Sequence, residues 1–184
     1  GELQWMTAGR GIVHSEMPLQ KDGLMKGFQL WVNLPSNEKM QPPRYKDIKA
    51  SDIVSIEEGS TRIKLIAGNY KEYQGPIQGL TTELDYFDVS IGKDPFLFTG
   101  HESKNYFLYP FEGEIKVDAE TLSSRNGICF SSSAKITTKH QSRFLLIGGR
   151  PLYEPIFQYG PFVMNTKKEI LQAIEDFQSG SFSK

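Results

Sequence analysis

Short alternations of apolar and polar residues recur along most of the chain. Gly27 to Asn33 sets Phe28, Leu30 and Val32 against Gln29, Trp31 and Asn33, which predicts a strand with one face in a core. Leu34-Pro35-Ser36-Asn37 breaks it. Glu38 to Tyr45, with Pro42-Pro43 inside, allows only a turn of helix and an extended connector. Tyr45 to Ile53 is mixed and polar and reads as a surface loop. Arg62 to Gly68 is the next strand. Leu84 to Ile91, Phe96 to Phe98 and Tyr106 to Tyr109 follow, then a turn at Gly113 running into a strand that ends at Val117. Gly127 to Phe130, Ala134 to Thr138 and Phe144 to Ile147 continue at regular spacing. So many short strands between turns predict an all-β sandwich or barrel. One helix interrupts the pattern. Thr166-Lys167-Lys168-Glu169 is a capping box, Ile170, Leu171, Ile174 and Phe177 form an apolar stripe, and Gly180 sits at the expected stop.

The most informative stretch chemically is the first, GELQWMTAGRGIVHSEMP. Gly9 and Gly11 permit a sharp bend, and Trp5 and Met6 supply bulky cover for it. The bend runs into a short strand ending at His14-Ser15-Glu16. Side chains two apart on a strand share a face, so His14 and Glu16 point the same way. An imidazole and a carboxylate are two members of the facial triad used by non-haem Fe(II) enzymes. A hydrogen-bonded pair without metal has the same pattern.

The run from Gln4 to Pro18 resembles the signature of the pirin family, whose members are two-barrel cupins. The resemblance continues through Gln29-Leu30-Trp31-Val32-Asn33-Leu34 and Glu38-Lys39-Met40, with Pro43 and Tyr45 after it. It resumes at Gly160-Pro161-Phe162-Val163-Met164-Asn165-Thr166. The middle, from Glu57 to Gln141, is similar only in pattern.

The resemblance implies a mononuclear non-haem Fe site in the first barrel, built from three His and one Glu. His14 and Glu16 would be metal ligands, and Glu16 would also serve as a catalytic base. A His-x-His pair on an earlier strand would supply the other imidazoles, and this sequence has no such pair. The chain, which opens on Gly1 and not on Met, is therefore expected to be a fragment without the opening strands of the first barrel. A natural truncation is the alternative. Alone, it is expected to bind iron weakly or not at all and to be inactive. The implied organisation is a first-barrel remainder and linker over residues 1–70, a complete second barrel over 71–158, and a C-terminal segment and helix over 159–184 that packs back on the barrels. Two activities attach to the family. One is quercetin 2,3-dioxygenase-type chemistry on a flavonol-like molecule. The other is an iron- or redox-sensitive transcriptional coregulator role through a protein partner, without turnover. A storage or scaffold cupin without chemistry is a third reading.

Composition narrows the classes of partner. Lys+Arg of 21 against Asp+Glu of 22 gives a net charge of −1, too little field to hold nucleic acid or an anionic membrane. Apolar content of 38% is modest, but Phe 12 and Tyr 8 bring large buried areas. A single cysteine, Cys129, excludes an intrachain disulfide and suits a reducing cytoplasmic or nuclear setting. Flanked by Ile128 and Phe130, it reads as a small core residue. His101 reads as a surface histidine, because adjacent strand positions such as His101 and Glu102 face opposite ways, and His140, between Lys139 and Gln141 in a polar turn, reads as solvated. Lys167-Lys168 is a solvated helix start. Gly9-Arg10-Gly11 lacks the spacing and following helix of a phosphate loop.

Overall fold

Strands and a single α-helix form most of the regular structure in the computed structural model, which describes all residues except Gly1, Glu16, residues 18–21, Arg125 and residues 182–184. The strands are β1 (Leu3–Thr7), β2 (Arg44–Ile48), β3 (Val54–Glu58), β4 (Thr61–Ala67), β5 (Asn69–Tyr70), β6 (Tyr73–Gln74), β7 (Asp85–Ile91) and β8 (Phe96–Thr99). They continue as β9 (Asn105–Glu112), β10 (Glu114–Val117), β11 (Glu120–Ser123), β12 (Ile128–Phe130), β13 (Ser133–Thr137), β14 (Ser142–Gly149), β15 (Phe157–Tyr159) and β16 (Phe162–Met164). The helix, α1, spans Lys167–Gln178.

The chain divides into two compact units, Gly1–Leu3 with Asp47–Leu152 and Gln4–Lys46 with Tyr153–Lys184. These boundaries differ from the divisions after residues 70 and 158 that the sequence suggests, and the ladders give the reason. The strand over Arg62 to Gly68 does not belong with an N-terminal barrel. As β4 it pairs antiparallel with β7, Ile63 opposite Val89 and Leu65 opposite Phe87. The predicted loop over Tyr45 to Ile53 also contains regular structure, since its first residues lie in β2 and a 3₁₀ turn follows at Ala50–Asp52.

The larger unit is built from two antiparallel sheets, in the order β12-β9-β14-β7-β4-β3 and β11-β10-β13-β8. Period-two alternation aims one face of each at a common interior. Ile63, Leu65, Phe87, Val89, Leu108, Phe144 and Leu146 come from the first sheet, and Phe96, Phe98, Ile115, Val117 and Ile136 from the second. β14 is the pivot of the larger sheet. Phe144 stands opposite Val89 on β7 and Pro110 on β9, and Leu146 opposite Phe87 and Leu108. Edge-on ring contacts such as Phe98–Tyr106, 4.9 Å between centroids, fill the space between the sheets. Cys129 corrects an expectation here. Its neighbours Ile128 and Phe130 take the inward phase of edge strand β12, so the thiol is exposed.

The second unit joins the N-terminal connector to the β15–β16 hairpin and α1. The strand expected over Gly27 to Asn33 is not formed, and neither is a ladder over the described part of Gly11 to Met17. A strand exists by its hydrogen-bonded partner, and none of the described ladders includes these residues. Phe28 is 51% and Trp31 63% exposed. A polar network ties its segments together. Lys39, 6% exposed, donates from Nζ to Asn33 Oδ1 at 2.6 Å and to the Val163 carbonyl at 3.3 Å. Burial lowers its pKa, and Glu154 and Glu169 partly offset the shift. Glu154 accepts from the Ser36 backbone N–H and from Asn165 Nδ2, both at 2.8 Å. The second Asn165 amide proton goes to the Pro155 carbonyl, so the acceptors fix the amide orientation. Its Oδ1 is buried without a donor among the described residues.

α1 starts and stops where the sequence places its signals. Thr166 Oγ1 accepts from the Glu169 backbone N–H at 3.2 Å and donates to the Glu169 carboxylate at 2.9 Å. That carboxylate also accepts from the Asn165 N–H. At the far end, Ser181 N–H reaches the Asp176 carbonyl and Gly180 N–H the Phe177 carbonyl, a Schellman closure that the positive φ of Gly180 allows. The apolar stripe is narrower than expected. Ile170 is buried and Ile174 half-buried, whereas Leu171 is 58% and Phe177 54% exposed. Leu171 lies 100° round the helix from Ile170 and so turns away from the hairpin. Phe177 makes an edge contact with Phe162, 6.1 Å between ring centroids.

Thermal melts of helix variants therefore rank by position. Ile170→Ala is expected to cost about 2–5 kcal/mol, Thr166→Ala about 1 kcal/mol, and Leu171→Ala under ~0.5 kcal/mol. If Leu171→Ala costs as much as Ile170→Ala, the docked face is wrong. Acid sensitivity provides a second check. Hydrogen bonds from Thr166 hold the Glu169 pKa below its ordinary 4.5. Its contribution is complete above that value and is lost as pH falls through the lower folded-state value. Glu169→Gln should flatten that part of the stability profile measured by urea unfolding at a series of acid pH values.

Candidate functional site

His14 lies in irregular backbone of the second unit and is exposed. Glu16, its expected companion, lies outside the described residues. Among the described residues there is no group of three or more His, Cys, Asp and Glu side chains that could hold a metal ion. One imidazole and one carboxylate do not complete a mononuclear Fe or Zn centre, which takes at least three protein donors. Among the described residues, the donors thus do not by themselves complete the iron site that the sequence resemblance implies.

The other histidines are built into turns. His101 sits in the β8–β9 turn, where its Nδ1 accepts from the Ser103 backbone N–H at 3.1 Å. His140 sits in the turn before β14, exposed, with its carbonyl accepting from Ser142 Oγ. Each ring or carbonyl serves local backbone geometry. Gly9 and Gly11 do form the expected bend. Gly11 N–H bonds to the Ala8 carbonyl, Arg10 N–H bonds to that of Gln41, and Gly9 holds φ at +53° where a Cβ would strike Gln41.

A polar cluster that sequence reasoning passes over lies at one end of the large unit. Asp85, 5% exposed, opens β7. Its Oδ2 accepts from Lys104 Nζ at 2.8 Å and from the Tyr106 hydroxyl at 3.0 Å. The same hydroxyl accepts from the His101 backbone N–H at 2.8 Å. The Lys104 and Asp85 side chains are only 10% and 8% exposed, so the ion pair is almost dehydrated. Burial, with Asp85 beside it, raises the Tyr106 pKa, which agrees with a phenol that donates to that carboxylate. Glycines make the room. A Cβ at Gly100 or Gly148 would collide with Tyr106, and one at Gly68 with Asp85. The sequence did carry a signal for this cluster. Asp85 shares the inward phase with Phe87, Val89 and Ile91, and a charge on the apolar phase of a strand is expensive unless paired.

With this geometry in hand, comparison with known proteins is direct. The family profile for the pirin C-terminal cupin domain matches residues 86–183, and the pirin profile matches residues 1–32. A pirin-like protein of Caulobacter vibrioides is 40% identical over 187 residues, covering 99% of this chain and 68% of its own length. A pirin-like protein of Solanum lycopersicum is 42% identical over 98% of this chain and 64% of its own length. The crystal structure of quercetin 2,3-dioxygenase from Acinetobacter baumannii superposes with a TM-score of 0.83 at 30% identity. It covers 100% of this chain and 67% of that one. The chain thus spans about two thirds of the length of these relatives. Identity at this level over nearly every residue, together with the matched C-terminal cupin domain, establishes that the chain belongs to the pirin family.

Proposed function

We propose that this chain is part of a pirin-type cupin that acts on a flavonol-like small molecule with quercetin 2,3-dioxygenase-type chemistry. In this reading it supplies His14 and Glu16 to a mononuclear non-haem iron site whose remaining donors lie outside the 184 residues. The observation that carries the reading is the likeness in fold and sequence to a quercetin 2,3-dioxygenase over 100% of this chain. Bound iron would supply redox chemistry. The chain's own contribution is to orient an imidazole and a carboxylate, and Glu16 accepts the proton of the flavonol hydroxyl as a general base. No helix of the described residues is long and apolar enough to cross a membrane. The net charge of −1 leaves a small molecule or a protein as the natural partner, not nucleic acid.

Metal analysis and oxygen uptake with quercetin test the proposal together. The chain alone should hold Fe(II) at well below one equivalent and consume no oxygen. Joined to a strand that carries the implied His-x-His pair, it should bind close to one equivalent and turn over quercetin. In that protein His14→Ala should lower metal content. Glu16→Gln should lower turnover by roughly 10²-fold or more, the size expected for loss of a general base. Tight iron binding that survives loss of both His14 and Glu16 would overturn the assignment. So would capture of a protein partner by an iron-loaded protein that never turns over a flavonol.

A further inference from the structure

A cavity of about 240 Å³ lies beside the Asp85–Lys104 pair, walled by Gly68, Ile77, Leu80, Glu83, Asp85 and Lys104 among others. All of these residues belong to the larger unit. Three features set the cavity apart from an ordinary surface notch. First, it has a nearly dehydrated ion pair in its wall. Exchanging buried pairs for apolar residues is often neutral or stabilising, so stability alone is a poor reason for Asp85 and Lys104 to be here. Second, the pair is held from behind by Tyr106, whose place depends on the absent side chains of Gly100 and Gly148. Third, the wall is strained. Glu83 holds φ at +47°, a conformation that costs a non-glycine residue energy, next to Gly68 and Gly79 at +79° and +73°.

The chemistry of the wall defines what fits. Lys104 is a donor-only group with three N–H bonds, of which Asp85 takes one. An occupant must therefore present an acceptor oxygen. It should not bring a charge, because Asp85 already balances Lys104, and Glu83 is balanced by Arg150 at 2.7 Å. A carboxylate would face Asp85 at close range, and an amine would face Lys104. Leu80, with the edges of Ile77 and Leu84 (each 5% exposed), supplies a small apolar side, beside the polar Asn69 and Gln78. We propose that this cavity is a second ligand site of the chain, taking a small uncharged molecule whose carbonyl or hydroxyl oxygen accepts from Lys104 while its apolar part rests on Ile77, Leu80 and Leu84. It requires no metal and is independent of the dioxygenase reading.

Acetophenone, an uncharged aryl ketone, is a suitable probe, with benzoate as its anionic counterpart. Titration into the full chain, followed by backbone amide NMR, should give saturable shifts centred on Gly68, Gly79 and Lys104. Benzoate should bind about tenfold more weakly or worse. Lys104→Met should weaken the ketone about tenfold, as loss of a hydrogen bond to a charged group does. Because that variant leaves Asp85 without its cation and can unfold, Leu80→Trp provides the second arm. It fills the rim without touching the ion pair, and it should abolish the shifts while leaving the melting curve in place. The proposal fails if no saturable shift appears and the cavity holds water only. It also fails if Leu80→Trp binds like the unmodified chain, or if benzoate binds as tightly as the ketone.

Discussion

Closure of two antiparallel sheets on a single interior is the constraint from which the rest of the larger unit follows. The space between them is filled by Phe87, Phe96, Phe98, Phe144 and the branched residues around them, with ring centroids about 5–6 Å apart in offset and edge-on contacts. Among the described residues that interior is lined mostly by apolar side chains. Polar chemistry is therefore displaced to the ends of the strands, where the ladders stop. Asp85 is the first residue of β7, and Lys104 immediately precedes β9. Their meeting is a consequence of two strands that both pair with β14 ending at the same side of the sheet. Gly148 stands opposite Asp85 and Tyr106 in that register, which is why a glycine occupies the position.

The smaller unit solves a different problem. It has few ladders among its described residues, and its long connector is largely exposed from Asp22 to Val32. A buried ammonium joins its segments, in addition to the packing of the buried Ile170. Lys39 can be dehydrated only if acceptors surround it, and it draws those acceptors from residues 6 and 124 positions away in sequence, Asn33 and Val163. Glu154 ties Ser36 to Asn165 in the same way. The motif stretches around Asn33, Lys39 and Asn165 thus meet in space. Their spacing in sequence reflects a hydrogen-bond network more than a catalytic one.

How much of this was legible in the sequence depends on how local the cause is. The cap at Thr166, the closure at Gly180 and the strand from Asp85 to Ile91 rest on neighbours within a few residues, so pattern was enough. The helix stripe was less secure. Leu171 is as apolar as Ile170, but only the docked hairpin decides which of two adjacent positions faces it. The alternation of Gly27 to Asn33 is real, but alternation states only that a strand could bury one face and says nothing about whether a partner ladder is there. The same limit applies to Arg62 to Gly68, a correctly predicted strand whose ladder with β7 the pattern does not name. Its partner β7 begins 24 residues after Thr61, and register across that gap is a tertiary property. Cys129 failed by one residue of phase. For the candidate metal site the sequence offered a pair, His14 and Glu16, whose significance came from family resemblance and not from any donor count within the chain.

Two buried polar clusters in one chain invite the same explanation, yet their details separate them. Lys39 is matched by an amide oxygen and a backbone carbonyl, with Glu154 and Glu169 near enough to support its charge. The residues it joins lie in one unit. Its design is that of a fastener, and the unpaired Asn165 Oδ1 is the cost of directing both amide protons to Glu154 and Pro155. Lys104 is matched by a full carboxylate, a kind of buried pair that often returns no more stability than apolar residues of the same volume. It also borders open space, and the backbone around that space is strained at Glu83. A fastener needs neither the space nor the strain. A left-handed residue beside a dehydrated ion pair and open space suits a surface that takes a partner molecule, and the neutral balance of Asp85 with Lys104 and Glu83 with Arg150 favours one without charge.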